Sequence, residues 1–99
     1  MNIVKQREQE KMTLRVEGRL DTVTSPQLEK ELGEEYEDLR ELVLDFTALQ
    51  YISSAGLRVL LTAHKRMAGQ DGRLVIRGAG ESVREVFTIT GFMNILHVE

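Results

Sequence analysis

The chain has 99 residues, of which 41% are apolar and 29% charged, with a formal net charge of −3. That is room for one soluble domain and no second, and a chain this short buries only about 60–65% of its unfolded surface, so its core must be compact. The absence of cysteine rules out disulfides, thiolate metal sites and a cysteine nucleophile, while scattered basic residues, no Trp and only 3 Phe and 2 Tyr argue against a nucleic-acid surface.

Residues 2–7 carry a weak strand pattern. Residues 12–17 carry a better one, with Met12, Leu14 and Val16 alternating with Thr13, Arg15 and Glu17. The charged stretch from Arg7 to Lys11 reads as a hairpin turn, and Gly18 marks a bulge or bend where the second strand ends. The opening Met1-Asn2-Ile3-Val4-Lys5 is too polar and charged for a signal peptide. No apolar run in the chain approaches the roughly 20 residues of a membrane helix. The expectation is a cytoplasmic protein without direct membrane insertion.

Thr24 or Ser25 can cap a helix with Pro26 in its first turn, and Leu28, Leu32, Tyr36 and Leu39 recur near helical spacing. This predicts a helix over 25–37, with its glutamates and Lys30 on a solvated face. Glu41 to Phe46 is a dense apolar run and predicts a central strand buried on both sides. Thr47 to Ile52 reads as a loop. Ser53 or Ser54 can then cap a second amphipathic helix, predicted over 54–68 and ended by Gly69-Gln70-Asp71-Gly72. Leu74-Val75-Ile76 is a third apolar strand, and Gly78-Ala79-Gly80 a turn. Ser82 can cap a helix over 81–90 stopped by Gly91, and Ile95, Leu96 and Val98 close the chain as a short strand or helical turn. The order β-β-α-β-α-β-α requires parallel strands with right-handed crossovers behind an antiparallel hairpin. The fold class is therefore α/β, a single domain over 1–99, with a mixed sheet of four to five strands and helices packed on it.

One segment brings hydroxyls to a helix start: Tyr51-Ile52-Ser53-Ser54-Ala55-Gly56-Leu57-Arg58. The first turn of a helix has unpaired amides and a partial positive charge, so a phosphate carried there is partly stabilised by its own helix. From position alone such a serine is a cap. Tyr51 to Leu61, however, resembles the signature of the STAS domain, the fold shared by sulfate transporter tails and anti-sigma-factor antagonists. Glu17-Gly18-Arg19-Leu20-Asp21, Leu42 to Phe46 and Ile89 to Leu96 resemble further stretches of that family in the right order.

The resemblance implies an anti-sigma-factor antagonist. Such a protein binds an anti-sigma factor with serine kinase activity, releases a sigma factor, and is switched off by phosphorylation and reset by a serine phosphatase. The family pattern Asp-Ser-Ser/Ala-Gly-Leu places the phosphorylated serine at Ser54. Ser53, which stands where the family has Asp, is a second candidate. Asp21, Thr22, Ser53, Ala55, Gly56, Leu57 and Arg58 would meet the partner. ATP and magnesium would come from the kinase, so the chain itself needs no cofactor or metal and is not an enzyme. The alternative implied by the same resemblance is an accessory subunit of a membrane transport ATPase, bound but not phosphorylated.

The remaining residues offer little chemistry. Asp45, at a strand's end, orders the following loop. His64 lies among Leu60, Leu61 and Met67 as a core-edge histidine, and His97 has no matched carboxylate, so no zinc spacing arises. A Gly-x-Ser-x-Gly elbow is absent, and Gly78-Ala79-Gly80 lacks the Gly-Lys-Ser/Thr of a P-loop.

Overall fold

In the computed structural model, which describes all residues from Met1 to Glu99, β2 (Lys11–Leu20) is the strand from which the rest is built. Its alternation buries Met12, Leu14, Val16 and Leu20 and leaves Lys11, Arg15 and Arg19 exposed. Strand β1 (Asn2–Glu8) pairs with it antiparallel through the expected hairpin. On its other side lies β3 (Glu41–Asp45), parallel, followed outward by β5 (Arg73–Arg77) and the two-residue β6 (His97–Val98), both also parallel.

The mixed sheet has six strands rather than four or five. The stretch expected to be a loop holds β4 (Leu49–Ile52), which pairs parallel with the last residues of β2. Strand β2 is long enough to take β3 along its first half and β4 along its end, with the register shifting between Gly18 and Arg19. Gly18 sits there with φ of +100°, a conformation open to glycine, and its amide donates to the Ala48 carbonyl at 3.0 Å.

Helices α1 (Ser25–Gly33), α2 (Ser54–Gly69) and α3 (Glu81–Thr90) are the crossovers. Each step moves one place in the same direction across the sheet, so right-handed connections put all three on one face. That face holds the rows Met12, Leu42, Leu74 and Leu14, Leu44, Ile76, packed with Leu28, Leu60, Met67 and Phe87. The opposite face carries Lys11, Glu41 and Arg73 in one row, where Glu41 reaches Lys11 at 3.4 Å and Arg73 at 3.5 Å.

One helix boundary and two helix caps depart from the sequence expectation. Helix α1 ends at Gly33, not at 37. Tyr36 and Leu39 are buried as the spacing required, but from an irregular segment whose carbonyls accept from the Gln70 side chain at 2.7 and 2.6 Å. Neither Thr24 nor Ser25 caps α1: Thr24 has helical backbone angles, and its hydroxyl donates to the Arg19 carbonyl at 2.7 Å. Gly80, not Ser82, precedes α3, and no side chain caps it. No helix is long and apolar enough to cross a membrane.

Candidate partner-binding site

Two chain reversals meet at the end of β2 and β4. Leu20 and Ile52 are register partners, and the Ser53 amide donates to the Leu20 carbonyl at 2.9 Å. This bond fixes the start of α2 beside the turn that begins at Asp21, two segments some thirty residues apart in sequence.

The serine pair divides its work. Ser53 is extended, with φ of −101° and ψ of 177°, and is the N-cap: its hydroxyl accepts from the Gly56 amide at 3.4 Å. Ser54 is then the first helical residue. Its side chain is exposed, and no hydrogen bond holds its hydroxyl. Because the helix begins here, the Ser54 and Ala55 amides have no backbone acceptor.

The residues after Ser54 sort by helical phase. Ala55 is half-buried and Arg58 exposed. Gly56 and Leu57 are buried in the core beneath the site, so they shape the surface and do not form it. Of the residues expected to meet a partner, Asp21, Thr22, Ser53, Ala55 and Arg58 remain at the surface.

The Asp21 turn is held by its own side chain. Asp21 Oδ1 accepts from the Val23 and Thr24 amides, each at 3.0 Å, and its backbone amide donates to the Thr24 hydroxyl at 2.9 Å. The Thr24 amide, aided by the Thr24 hydroxyl and the Val23 amide, holds the Asp21 carboxyl below the usual range. Arg19 lies 3.8 Å from Asp21 Oδ2 and stacks over the Tyr51 ring at 4.2 Å. Val23, 85% exposed, lies in this turn, an apolar surface residue that no pattern in the sequence marks beyond its place between two turn residues.

Between α1 and α2 a cleft of about 230 Å³ opens, with Thr22, Ser25, Pro26, Glu29, Ala55 and Arg58 among its walls. Asp45 lies outside this site. It accepts from the Thr47 amide at 3.0 Å and from the Thr47 hydroxyl, which orders the β3–β4 turn. Burial alone would raise its pKa, but these two bonds together with the Arg15 and Arg77 charges lower it. His64 is half-buried on α2, His97 sits 3.8 Å from Glu99, and no three His, Asp or Glu side chains gather in a way that could hold a metal.

A profile of the STAS domain family matches residues 2–99. The chain is 42% identical over 84 residues to BtrV of Bordetella bronchiseptica, a proposed anti-sigma factor antagonist, covering 84% of this chain and 72% of that protein. It is 32% identical to the anti-sigma-B factor antagonist of Listeria monocytogenes, covering 100% of this chain and 90% of the relative. An anti-sigma factor antagonist from Mycobacterium paratuberculosis superposes with a TM-score of 0.86 at 23% identity, over 98% of this chain and 83% of that one. The phosphorylated form of the Bacillus cell fate determinant SpoIIAA does so with a TM-score of 0.78 at 17% identity, over 99% and 91%. At such identities the structures speak for the fold, and the sequence relatives for the branch. The chain belongs to the STAS domain family, among its anti-sigma factor antagonists.

Proposed function

We propose that this chain switches partners through Ser54. With Ser54 unmodified, the surface formed by the Asp21 turn and the start of α2 docks on an anti-sigma factor that is also a serine kinase, and a sigma factor is released. The kinase then transfers the γ-phosphoryl group of ATP to Ser54 Oγ. ADP leaves, and the hydroxyl proton passes to a base on the kinase. Nucleotide and magnesium belong to the kinase, and a serine phosphatase resets the switch by hydrolysis. The chain supplies a hydroxyl and a surface, and turns over no substrate by itself.

One observation carries this reading. Ser53 does the capping, so the neighbouring hydroxyl of Ser54 is exposed, unbonded and dispensable to the helix. A phosphate there adds about −1.5 to −2 charges at the centre of the docking surface without undoing the fold. The helix start favours that charge locally.

Mass spectrometry of the protein from its native host should place phosphate on Ser54. Isothermal titration against the cognate anti-sigma factor should show Ser54→Ala binding like wild type and Ser54→Asp binding poorly. Phosphate on Ser53 alone, or tight binding by Ser54→Asp, would overturn the assignment.

A further inference from the structure

The cleft between α1 and α2 contains two groups with unmet needs. Ser25 is 3% exposed, and its hydroxyl, in the wall of the cleft, has no hydrogen-bond partner. Buried hydroxyls are paired as a rule, so an acceptor entering this space would satisfy it. Arg58 is exposed and takes part in none of the chain's ion pairs, although Glu29 lines the same cleft.

Arg58 follows Ser54 by four residues on α2. Residues so spaced lie on one strip of a helix, and side chains lean towards the N-terminus, so the guanidinium covers the turn from which the Ser54 hydroxyl projects. We propose that Arg58 is the intramolecular counter-ion of a phosphate carried by Ser54, and that it draws this phosphate over the α1–α2 cleft. The inference rests on Ser54 being the phosphorylated residue. A planar guanidinium meets a phosphate through two parallel N–H···O bonds, a geometry that lysine cannot reproduce. The free Ser54 and Ala55 amides add donors from below.

The consequence is a second effect of phosphorylation besides added charge. In the serine form Arg58 is a free cation on the docking surface, available to an acidic group of the anti-sigma factor. In the phosphoserine form it is turned inward and neutralised, so the partner meets a phosphate and loses a cation at once.

The test uses the full chain with phosphoserine incorporated genetically at position 54, so it does not depend on which serine the kinase chooses. Titration followed by phosphorus NMR gives the second pKa of the phosphate, ordinarily about 6. That pKa should be higher in Arg58→Gln than in wild type by roughly 0.2–0.4, with Arg58→Lys in between and Ser25→Ala raising it by less. The other charges at this end of the sheet, Arg19, Asp21 and Glu29, are common to all variants. Arg77→Gln, on β5, should leave the phosphate unchanged. An unchanged pKa in Arg58→Gln, or an equal rise in Arg77→Gln, overturns the proposal. Failure of the Ser54 assignment is read separately, from the native phosphorylation site.

Discussion

Gly56→Ala should destabilise the protein, against the helix propensity of the two residues. Gly56 lies in the first turn of α2, where that turn rests on the ends of β2 and β4. A methyl group on it would come within 2.8 Å of Ile52 Cγ1 and 2.9 Å of Leu20 Cγ. Those side chains are 2% and 0% exposed, and the atoms struck lie near their backbones, so they cannot swing aside. Overpacking of this kind costs about 1–3 kcal/mol. Alanine returns about 1 kcal/mol through its better helix propensity. The net loss is about 1 kcal/mol, which in a domain of this size lowers Tm by about 4–8 °C.

Gly69→Ala supplies the opposite sign. It sits in the last turn of the same helix with no atom within 4 Å of the added methyl, so it should gain up to about 1 kcal/mol. Thermal and urea melts of the two variants side by side decide the matter. If Gly56→Ala melts at or above wild type, the α2 turn has room to lift, and the close packing beneath the site does not position Ser54.

The serine pair should separate in stability as well as in signalling. Ser53→Ala should lose about 0.5–1 kcal/mol, the lower part of the range for caps because its bond to Gly56 is 3.4 Å long, while Ser54→Ala should melt like wild type. Equal losses in both would refute the division of labour. Asp21→Ala should melt lower than Asp21→Asn, since asparagine keeps an oxygen for the Val23 and Thr24 amides, and equal Tm values would show that the turn does not need them. In acid, the depressed carboxyls of Glu17 (held by Asn2), Asp21, Glu35 (held by Lys5) and Asp45 set the slope. Their stabilisation is complete above the ordinary values of 3.8 for Asp and 4.5 for Glu, and is lost as pH falls through the lower folded values, so Tm should be flat near about pH 6 and drop below about pH 4. A melt independent of pH down to about pH 2 would contradict this.

What the sequence made legible follows from how local each signal is. The alternation of β2 and the apolar runs of β3 and β5 express which faces are buried, so these three strands were readable. Strand β4 was not, because only its ends, Leu49 and Ile52, are buried, and its partner is the distal part of a strand already assigned to β3. The overshoot of α1 has a similar cause. Tyr36 and Leu39 keep a helix-like spacing and are buried, but Gln70, from the far end of α2, holds their carbonyls in an irregular path. The candidate site was visible as residue types at a helix start. Its division into a cap and a free hydroxyl was not, since Ser53 and Ser54 are chemically the same and only backbone angles distinguish them.

The serine at position 53 also bears on how the switch is tuned. Ser and Asp are comparable N-caps, so the helix loses little by carrying Ser53 where the family resemblance has Asp. The phosphate on Ser54 is affected more. An aspartate next to it would be a carboxylate within a few ångströms of two negative charges, worth about 1 kcal/mol even in water. With Ser53, that repulsion is absent, and Arg58 stands one turn on as a counter-ion. Both features act in one direction, towards a phosphorylated form that is less strained. Ser53→Asp, made in the chain bearing phosphoserine at position 54, should therefore raise the phosphate's second pKa by about half a unit while leaving the unfolding free energy of the unmodified protein within about 0.5 kcal/mol of wild type. If the pKa does not move, the residue at 53 is held too firmly on the Gly56 amide for its charge to reach the phosphate, and tuning of the switch rests on Arg58 alone.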